Sequence, residues 1–296
     1  MGLPGYHGKI RIQFLGTAAS QPTKSRNVSG IMIHIGDEVI LVDCGDGTQR
    51  QILRFNQTIF MDRIFLTHFH GDHYFGLFGL ISTMDLNNRV KPLYIYAPPL
   101  FINFAIILEK YCKPSFKIIY KFMQPNQQVV FNKYAVIAHP GKHTTLNYLY
   151  AFKLHDYRRL DVEKLKLNGI ALGAHCKDLK QGKNIVYKGK QIFAEEYLEP
   201  VRYGKKIIIS GDTRPIFNDL MYKNCGLLIH ECTYLDSNQL ARAKKRMHTI
   251  YPEILSIKKN YKIPIVCTHF SARCVKMPGR VKDIVFAKDG LVIDYD

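Results

Sequence analysis

Residues 66–73 read Leu-Thr-His-Phe-His-Gly-Asp-His, which places three histidines and an aspartate within six positions, directly after the apolar run Ile64-Phe65-Leu66. Core packing does not explain such a cluster, because none of these side chains fills an apolar interior well. A short buried strand that ends in a polar loop does explain it. The strand's backbone groups are consumed by a sheet, and functional side chains collect where the strand stops. In extended backbone His68 and His70 point to the same side. Asp72 and His73 follow the Gly71 bend and address a neighbouring position. Imidazole and carboxylate in this arrangement suit a metal ion. Without a cysteine partner the set favours zinc, with manganese or iron compatible. One such loop can serve two ions a few ångströms apart.

Two ions need more ligands than one loop supplies, and the other candidates also stand at the ends of apolar runs. Asp212 follows "IIISG", His269 follows "PIVCT", His139 closes "YAVIA" and His143 precedes "NYLYAF". Spacing alone does not separate His139 from His143.

The first half of the chain alternates in the manner of strands: "KIRIQFLG", "GIMIHIG", "VILVDCG", "DRIFLTH", "PLYIYA", "FKIIYKF", "QQVVF", "YAVIAH" and "NYLYAFKL". "TQRQILRF", "YFGLFGLISTMDL" and "PLFINFAIILEKY" read as helices. After "KKIIISGDT" and "GLLIHECTY" come a helix expected over "RMHTIYPEILSIKKN", a strand "IPIVCTHFS" and a terminal hairpin "DIVFAKDGLVIDY". Strands in each half with helices between them fit an α/β architecture of two facing sheets covered by outer helices. Residues 156–195 differ: periodicity is weak, and Arg158 to Lys190 holds nine Lys/Arg against three Asp/Glu. That segment is expected to be an insertion within one domain spanning 1–296.

The chain carries 42 Lys plus Arg against 24 Asp plus Glu, a formal charge of +18. Such an excess points to a polyanionic partner and says nothing about fold. Seven scattered cysteines form no C-x-x-C and no disulfide framework. They read as reduced thiols, so a cytoplasmic location is expected. No apolar run of about 18 residues is present, so no membrane span is expected, and Tyr6 stands where a myristoylation signal has Ser or Thr. His7, His34, His155, His175 and His230 lack neighbours at ligand spacing and read as packing or surface residues, His34 facing outward.

H-x-H-x-D-H, a later histidine, "SGDT" and "THFS" together resemble the metallo-β-lactamase superfamily. Within it the chain resembles the ribonuclease Z family, endonucleases that trim the 3′ trailer from precursor tRNA. The likeness runs through "FLGTAASQPTKSRNVSG", "LVDCGDGTQRQ", "LTHFHGDHYFGLFGLI", "HTTLNYLYAF", "ISGDTR", "LIHECTY", "MHT" and "THFSAR", in that order. It implies the αββα sandwich with a protruding arm. It also implies two zinc ions, one held by His68, His70 and His143, the other by Asp72, His73 and His269, with Asp212 bridging both. His143 takes precedence over His139 because it stands six residues before Leu149-Tyr150, where the family has Gly-Tyr. Paired cations acidify a shared water and offset charge on a phosphorane-like transition state, leaving a 3′-hydroxyl on the tRNA and a 5′-phosphate on the trailer. The family's equivalent of Asp72 accepts a proton from that water. His248 corresponds to the family's protonating histidine, here in His-Thr-Ile rather than an H-S-T-like motif, with Glu231 orienting it.

The same resemblance makes residues 156–195 an arm that grips the tRNA elbow from the opposite subunit of a homodimer. Lys164, Lys166, Lys177, Lys180 and Lys183 are its expected phosphate contacts, although Gly173 is followed by Ala174 where the family has Gly-Pro. Lys24 and Arg26 in "PTKSRN" are expected near the tRNA end, and Arg273 among the substrate contacts. Arg242 to Lys282 holds eleven Lys/Arg and one acid, Glu253, around His248 and His269, so RNA binding should be steeply salt-dependent. Two rivals remain: another hydrolase of the superfamily acting on small phosphodiesters, aryl sulfates or thioesters, and a silent RNA-binding protein on the same scaffold.

Overall fold

The apolar runs build two seven-stranded sheets packed face to face. The structure is a computed structural model and describes residues 8–274 and 276–295, so His7 lies outside it. Strands β1 (Ile10–Gly16), β2 (Gly30–Ile35), β3 (Glu38–Val42), β4 (Arg63–Phe65), β5 (Leu93–Ala97) and β6 (Ile118–Phe122) form most of the first sheet. β7 (Gln128–Val130), β8 (Tyr134–Pro140) and β9 (Tyr148–Leu154) begin the second. β10 (Ile185–Tyr187) and β11 (Lys190–Ile192) pair only with each other. β12 (Lys206–Ser210), β13 (Cys225–Glu231), β14 (Ile265–Thr268) and β15 (Ile284–Phe286) complete the second sheet, and β16 (Val292–Tyr295) returns to the edge of the first.

Each sheet is antiparallel in one half and parallel in the other: β3 to β6 run parallel, as do β12 to β15. Parallel neighbours need crossovers, and helices supply them. α1 (Thr48–Arg54), α2 (Leu77–Leu86) and α3 (Ile102–Cys112) link the strands of the first sheet and cover its outer face through Ile52, Leu77, Ile81, Phe104 and Leu108. Two short helices, α4 (Val162–Leu167) and α5 (Cys176–Lys180), lie in the basic insertion. α6 (Asp219–Tyr222), α7 (Leu240–Arg246) and α8 (Tyr251–Tyr261) link the strands of the second sheet, whose outer cluster includes Met221, Tyr222, Ile254 and Ile257. The layer between the sheets takes alternate residues: Ile10, Ile12 and Phe14 of β1 face Tyr150, Phe152, Ile207 and Ile229 across it, while Leu15 packs outward. Period-two burial on both faces is what the alternating runs specify.

The insertion has its own small core of Leu165, Ile170, Leu179, Ala194 and Tyr197. It is closed at its base by the bridge of Tyr157 to Arg202 and by Arg158 donating to the carbonyls of Leu198 and Glu199.

Two expectations need correction. "DIVFAKDGLVIDY" is not a hairpin, because β15 pairs with β14 in the second sheet and β16 with β1 in the first. Ala287 N–H donates to Cys267 and Gly290 N–H to Phe14, so the short link is pinned to both sheets and cannot fold back on itself. "RMHTIYPEILSIKKN" is not one helix either. Met247 ends α7 in the left-handed region (φ 58°), and α8 starts only at Tyr251, so His248 sits on the connecting loop. Local periodicity does not register a single left-handed residue of this kind.

Candidate metal centre

The carboxyl ends of β3, β4, β12, β13 and β14 gather at one edge of the sandwich, where open α/β sheets place ligands. Two four-residue groups assemble there: His68, His70, His143 and Asp212, and Asp72, His73, Asp212 and His269. In the first, His68 Nε2 and His70 Nδ1 are 3.0 Å apart, His143 Nε2 is 3.2 Å from the same His70 nitrogen, and Asp212 Oδ2 lies 3.6 Å from His68 and 3.9 Å from His143. In the second, Asp72 Oδ2 is 3.4 Å from both His73 Nε2 and His269 Nε2. Asp212 Oδ1 is 3.4 Å and 3.1 Å from those same nitrogens. One carboxylate therefore turns a different oxygen to each group. Metal–ligand bonds of about 2.0–2.1 Å in a tetrahedron put neighbouring donor atoms about 3.3–3.4 Å apart. The spacings bracket that value. His73 Nε2 and Asp212 Oδ1 are buried without hydrogen-bond partners, and both point into the second group. The donor set thus fits a divalent cation in each group.

Two buried relays, one from each sheet, hold the imidazoles. Asp43 follows β3; its Oδ2 accepts from His73 Nδ1 at 2.7 Å, and its Oδ1 accepts from the Thr67 amide at 2.8 Å. The Thr67 hydroxyl donates to Asp43 and so accepts from His68 Nδ1 at 3.0 Å. Glu231 ends β13 and accepts from the amides of Thr213, Thr233 and Thr249, from the Thr233 hydroxyl at 2.8 Å and from His248 Nδ1 at 3.0 Å. Thr233 in turn accepts from His269 Nδ1 at 3.1 Å, and His143 Nδ1 donates to the Met247 carbonyl at 3.1 Å. In His68, His73, His143 and His269 Nδ1 is spent on the protein, which leaves the Nε2 lone pair facing the centre, the usual arrangement behind metal-ligating imidazole, whereas His70 turns Nδ1 to the first group. Asp43 (φ 59°) and His269 (φ 60°) both hold left-handed backbone, a strain of about 1–2 kcal/mol each that native structures concentrate at functional sites.

Burial lowers the pKa of His68, His70 and His143, with His73 and His143 adding to the effect at His68. Those rings stay neutral and able to ligate. At His73 burial works the same way, but the Asp72, Asp212 and Asp43 carboxylates overcome it and raise the pKa well above the ordinary value. A cation held by the second group would take the place of that proton. Burial also opposes protonation of His248, yet Glu231 and Asp212 raise it to about 9. His248, Thr144, Ser20, Tyr234, Arg242, Arg246 and Arg273 line a cavity of about 670 Å³ over the centre.

Residues 10–104, which span the first sheet from β1 to β5, match the family described as anti-Pycsar protein Apyc1. Ribonuclease Z of Pyrococcus abyssi is 38% identical over 258 residues, covering 86% of this chain and 83% of that protein. The chain belongs to the ribonuclease Z family. Human tRNase Z, short form, shares the fold of this chain with a TM-score of 0.68 at 24% identity, over 96% of this chain and 98% of that one. The metallo-β-lactamase fold protein YhfI of Bacillus subtilis superposes with a TM-score of 0.64 at 16% identity, over 97% and 98% of the two chains.

The seven ligand candidates thus converge from four separated stretches of chain. His139 does not join them: it belongs to neither group, and burial lowers its pKa. His248 and Glu231 do meet, in a third cluster with His269. Arg26, expected near RNA, turns inward: it donates to Thr17 Oγ1 and the Ala287 carbonyl and lies over the Phe270 ring. Lys24 is exposed, as are Lys164, Lys166, Lys177, Lys180 and Lys183, and none of these lines the cavity. Lys166 and Lys183 pair with Glu163 and Asp178. His34 is half-buried on the face of β2 opposite Ile33 and Ile35, and His155 and His230 hydrogen-bond to the carbonyls of Phe131 and Glu231.

Sequence reasoning missed Asp43, Thr67, Thr233 and Asn147. Asn147 is fully buried and donates from Nδ2 to the Asp212 carbonyl at 2.6 Å. Its amide fits between Gly141 and Gly211, where an added Cβ would come within 2.2 and 2.1 Å of it. A carboxylate between the apolar run "VILV" and a glycine-rich turn was the available signal for Asp43.

Proposed function

We propose that this chain is an endoribonuclease that removes the 3′ trailer from precursor tRNA with two zinc ions per subunit. It leaves a 3′-hydroxyl on the tRNA and a 5′-phosphate on the trailer. The observation that carries the reading is Asp212, whose two oxygens face two complete ligand groups. His68, His70 and His143 hold one cation and Asp72, His73 and His269 the other, with Asp212 shared. Bound there, a cation pair activates water and neutralises charge that develops on a phosphodiester.

The remaining work falls to the chain's own groups. Asp72 is held by the Ser20 amide at 2.8 Å and is the acceptor for the attacking water's proton. Glu231 fixes His248 through Nδ1, so the Nε2 proton is the one delivered to the departing 3′ oxygen. Arginines on the cavity wall and the excess positive charge attract the RNA backbone. The basic insertion, with its own core, serves as the tRNA-gripping arm. Leu100, Ile102, Ile106, Ile107 and Tyr111 leave an exposed apolar stripe at α3 that supports a homodimer. All seven cysteines are unpaired, which supports a cytoplasmic location. No helix among the described residues is long and apolar enough to cross a membrane.

The test is cleavage of a precursor tRNA with and without a chelator, with both new ends mapped. The proposal expects one cut that yields these termini, lost on chelation and restored by zinc. Intact precursor alongside rapid hydrolysis of a small phosphodiester would instead make the chain a different hydrolase of the same fold.

A further inference from the structure

One wall of the cavity carries cations that the metal centre and its relays do not use. Helix α7 docks through Ala243, which is buried against Tyr234 and Ile250. Residues four apart share a helix face, so Arg242 and Arg246 emerge together, and both line the cavity. Arg273, on the loop after β14, and Tyr234 line the same cavity. All three arginines are exposed, and among the described residues none forms an ion pair. Glu253, the single acid between Arg242 and Lys282, is taken by Arg214. Burial and the Glu231 carboxylate raise the pKa of the Tyr234 phenol, and the charges of Arg246 and Arg273 oppose that rise. The Tyr234 ring stands edge-on to His248 with centroids 6.2 Å apart. Guanidinium groups without a counter-charge, beside a phenol, match a phosphodiester better than a neutral base.

Position decides which phosphodiester. In an in-line displacement the leaving oxygen departs opposite the attacking water, and His248 marks that side of the centre. The leaving oxygen is the 3′ oxygen of the nucleotide that stays with the tRNA. The next phosphate on the His248 side is therefore the one on that nucleotide's own 5′ oxygen. We propose that Tyr234, Arg242, Arg246 and Arg273 form a subsite for this phosphate, the last one inside the tRNA product. The subsite rests on the endonuclease activity proposed above and names how that activity registers the tRNA side of the cut.

The test is a double-substitution cycle on precursor tRNA. One partner is Arg246→Gln, with Arg242→Gln as a second variant. The other is a neutral methylphosphonate at this single phosphate. Each change alone should lower kcat/KM about 10- to 100-fold, the range for a lost charged hydrogen bond. Both together should lower it no further than one alone, whereas a methylphosphonate one nucleotide farther 5′ should multiply with the variant. Losses that multiply at the assigned phosphate in both variants overturn the subsite while leaving the endonuclease intact. A wild-type enzyme that leaves unmodified precursor uncut overturns both.

Discussion

Replacing Asp43 by Asn tests the relay behind the metal centre with almost no change in volume. In the native site Asp43 Oδ1 takes the Thr67 amide and Oδ2 takes His73 Nδ1, at 2.8 and 2.7 Å. An amide has only one oxygen to offer. If that oxygen faces His73, the Thr67 N–H meets an NH2 group and loses its acceptor. If it faces Thr67, His73 Nδ1 must accept instead, and the ring proton moves to Nε2, where a cation should bind. Either orientation leaves a conflict in a residue only 3% exposed. A buried donor without a partner costs about 1–3 kcal/mol, and each 1.4 kcal/mol is about tenfold in an equilibrium. Loss of a partner behind a metal ligand independently brings about 10- to 100-fold in affinity. We therefore expect the His73 group to bind zinc 10- to 100-fold more weakly, read by titration against a chelating dye with circular dichroism as the fold control. The His68 group, reached through the Thr67 hydroxyl, should weaken less. Zinc affinities of a folded variant within twofold of wild type at both groups would refute the relay.

His248→Ala should lower kcat on precursor tRNA by about 100- to 10,000-fold while zinc stays near two per chain, the range for a lost general acid. Full kcat in that variant removes His248 from the reaction. In the proposed role of general acid His248 must carry its proton, and its pKa is raised to about 9. Activity should therefore fall as pH rises through that value, and bound cations can only move the fall to lower pH. The fall should be absent from the residual activity of His248→Ala. Excising 158–201 and joining Tyr157 to Arg202, already bridged, removes the separate arm core and should raise KM for precursor tRNA at least tenfold. A comparable loss on a small phosphodiester would count against an independent grip.

Local order was legible because it depends on neighbours in sequence. Period-two alternation in β1, β2 and β9 gave away strands with two apolar faces, and the Gly71 bend marked the loop. The breaks were harder. The left-handed Met247 that frees His248 from a helix has no compositional mark, and neither does the crossing of the chain between β15 and β16. Arg26 shows the same limit, since its inward turn depends on Ala287 and Phe270 more than 240 positions away.

The sequence alone determined that a strand ends in His68, His70, Asp72 and His73, and that basic charge surrounds the later histidine positions. Side-chain direction along a strand follows from backbone geometry within a few residues. Spacing alone left Asp212, His143 and Glu231 without assigned partners and only the family resemblance implied them; the packing of the two sheets is what stands Asp212 between both groups, puts His143 rather than His139 in the first, and sets Asp43 and Glu231 behind the rings. Those outcomes depend on which strand ends meet across the sandwich, and that is set by the burial of side chains far apart in the chain.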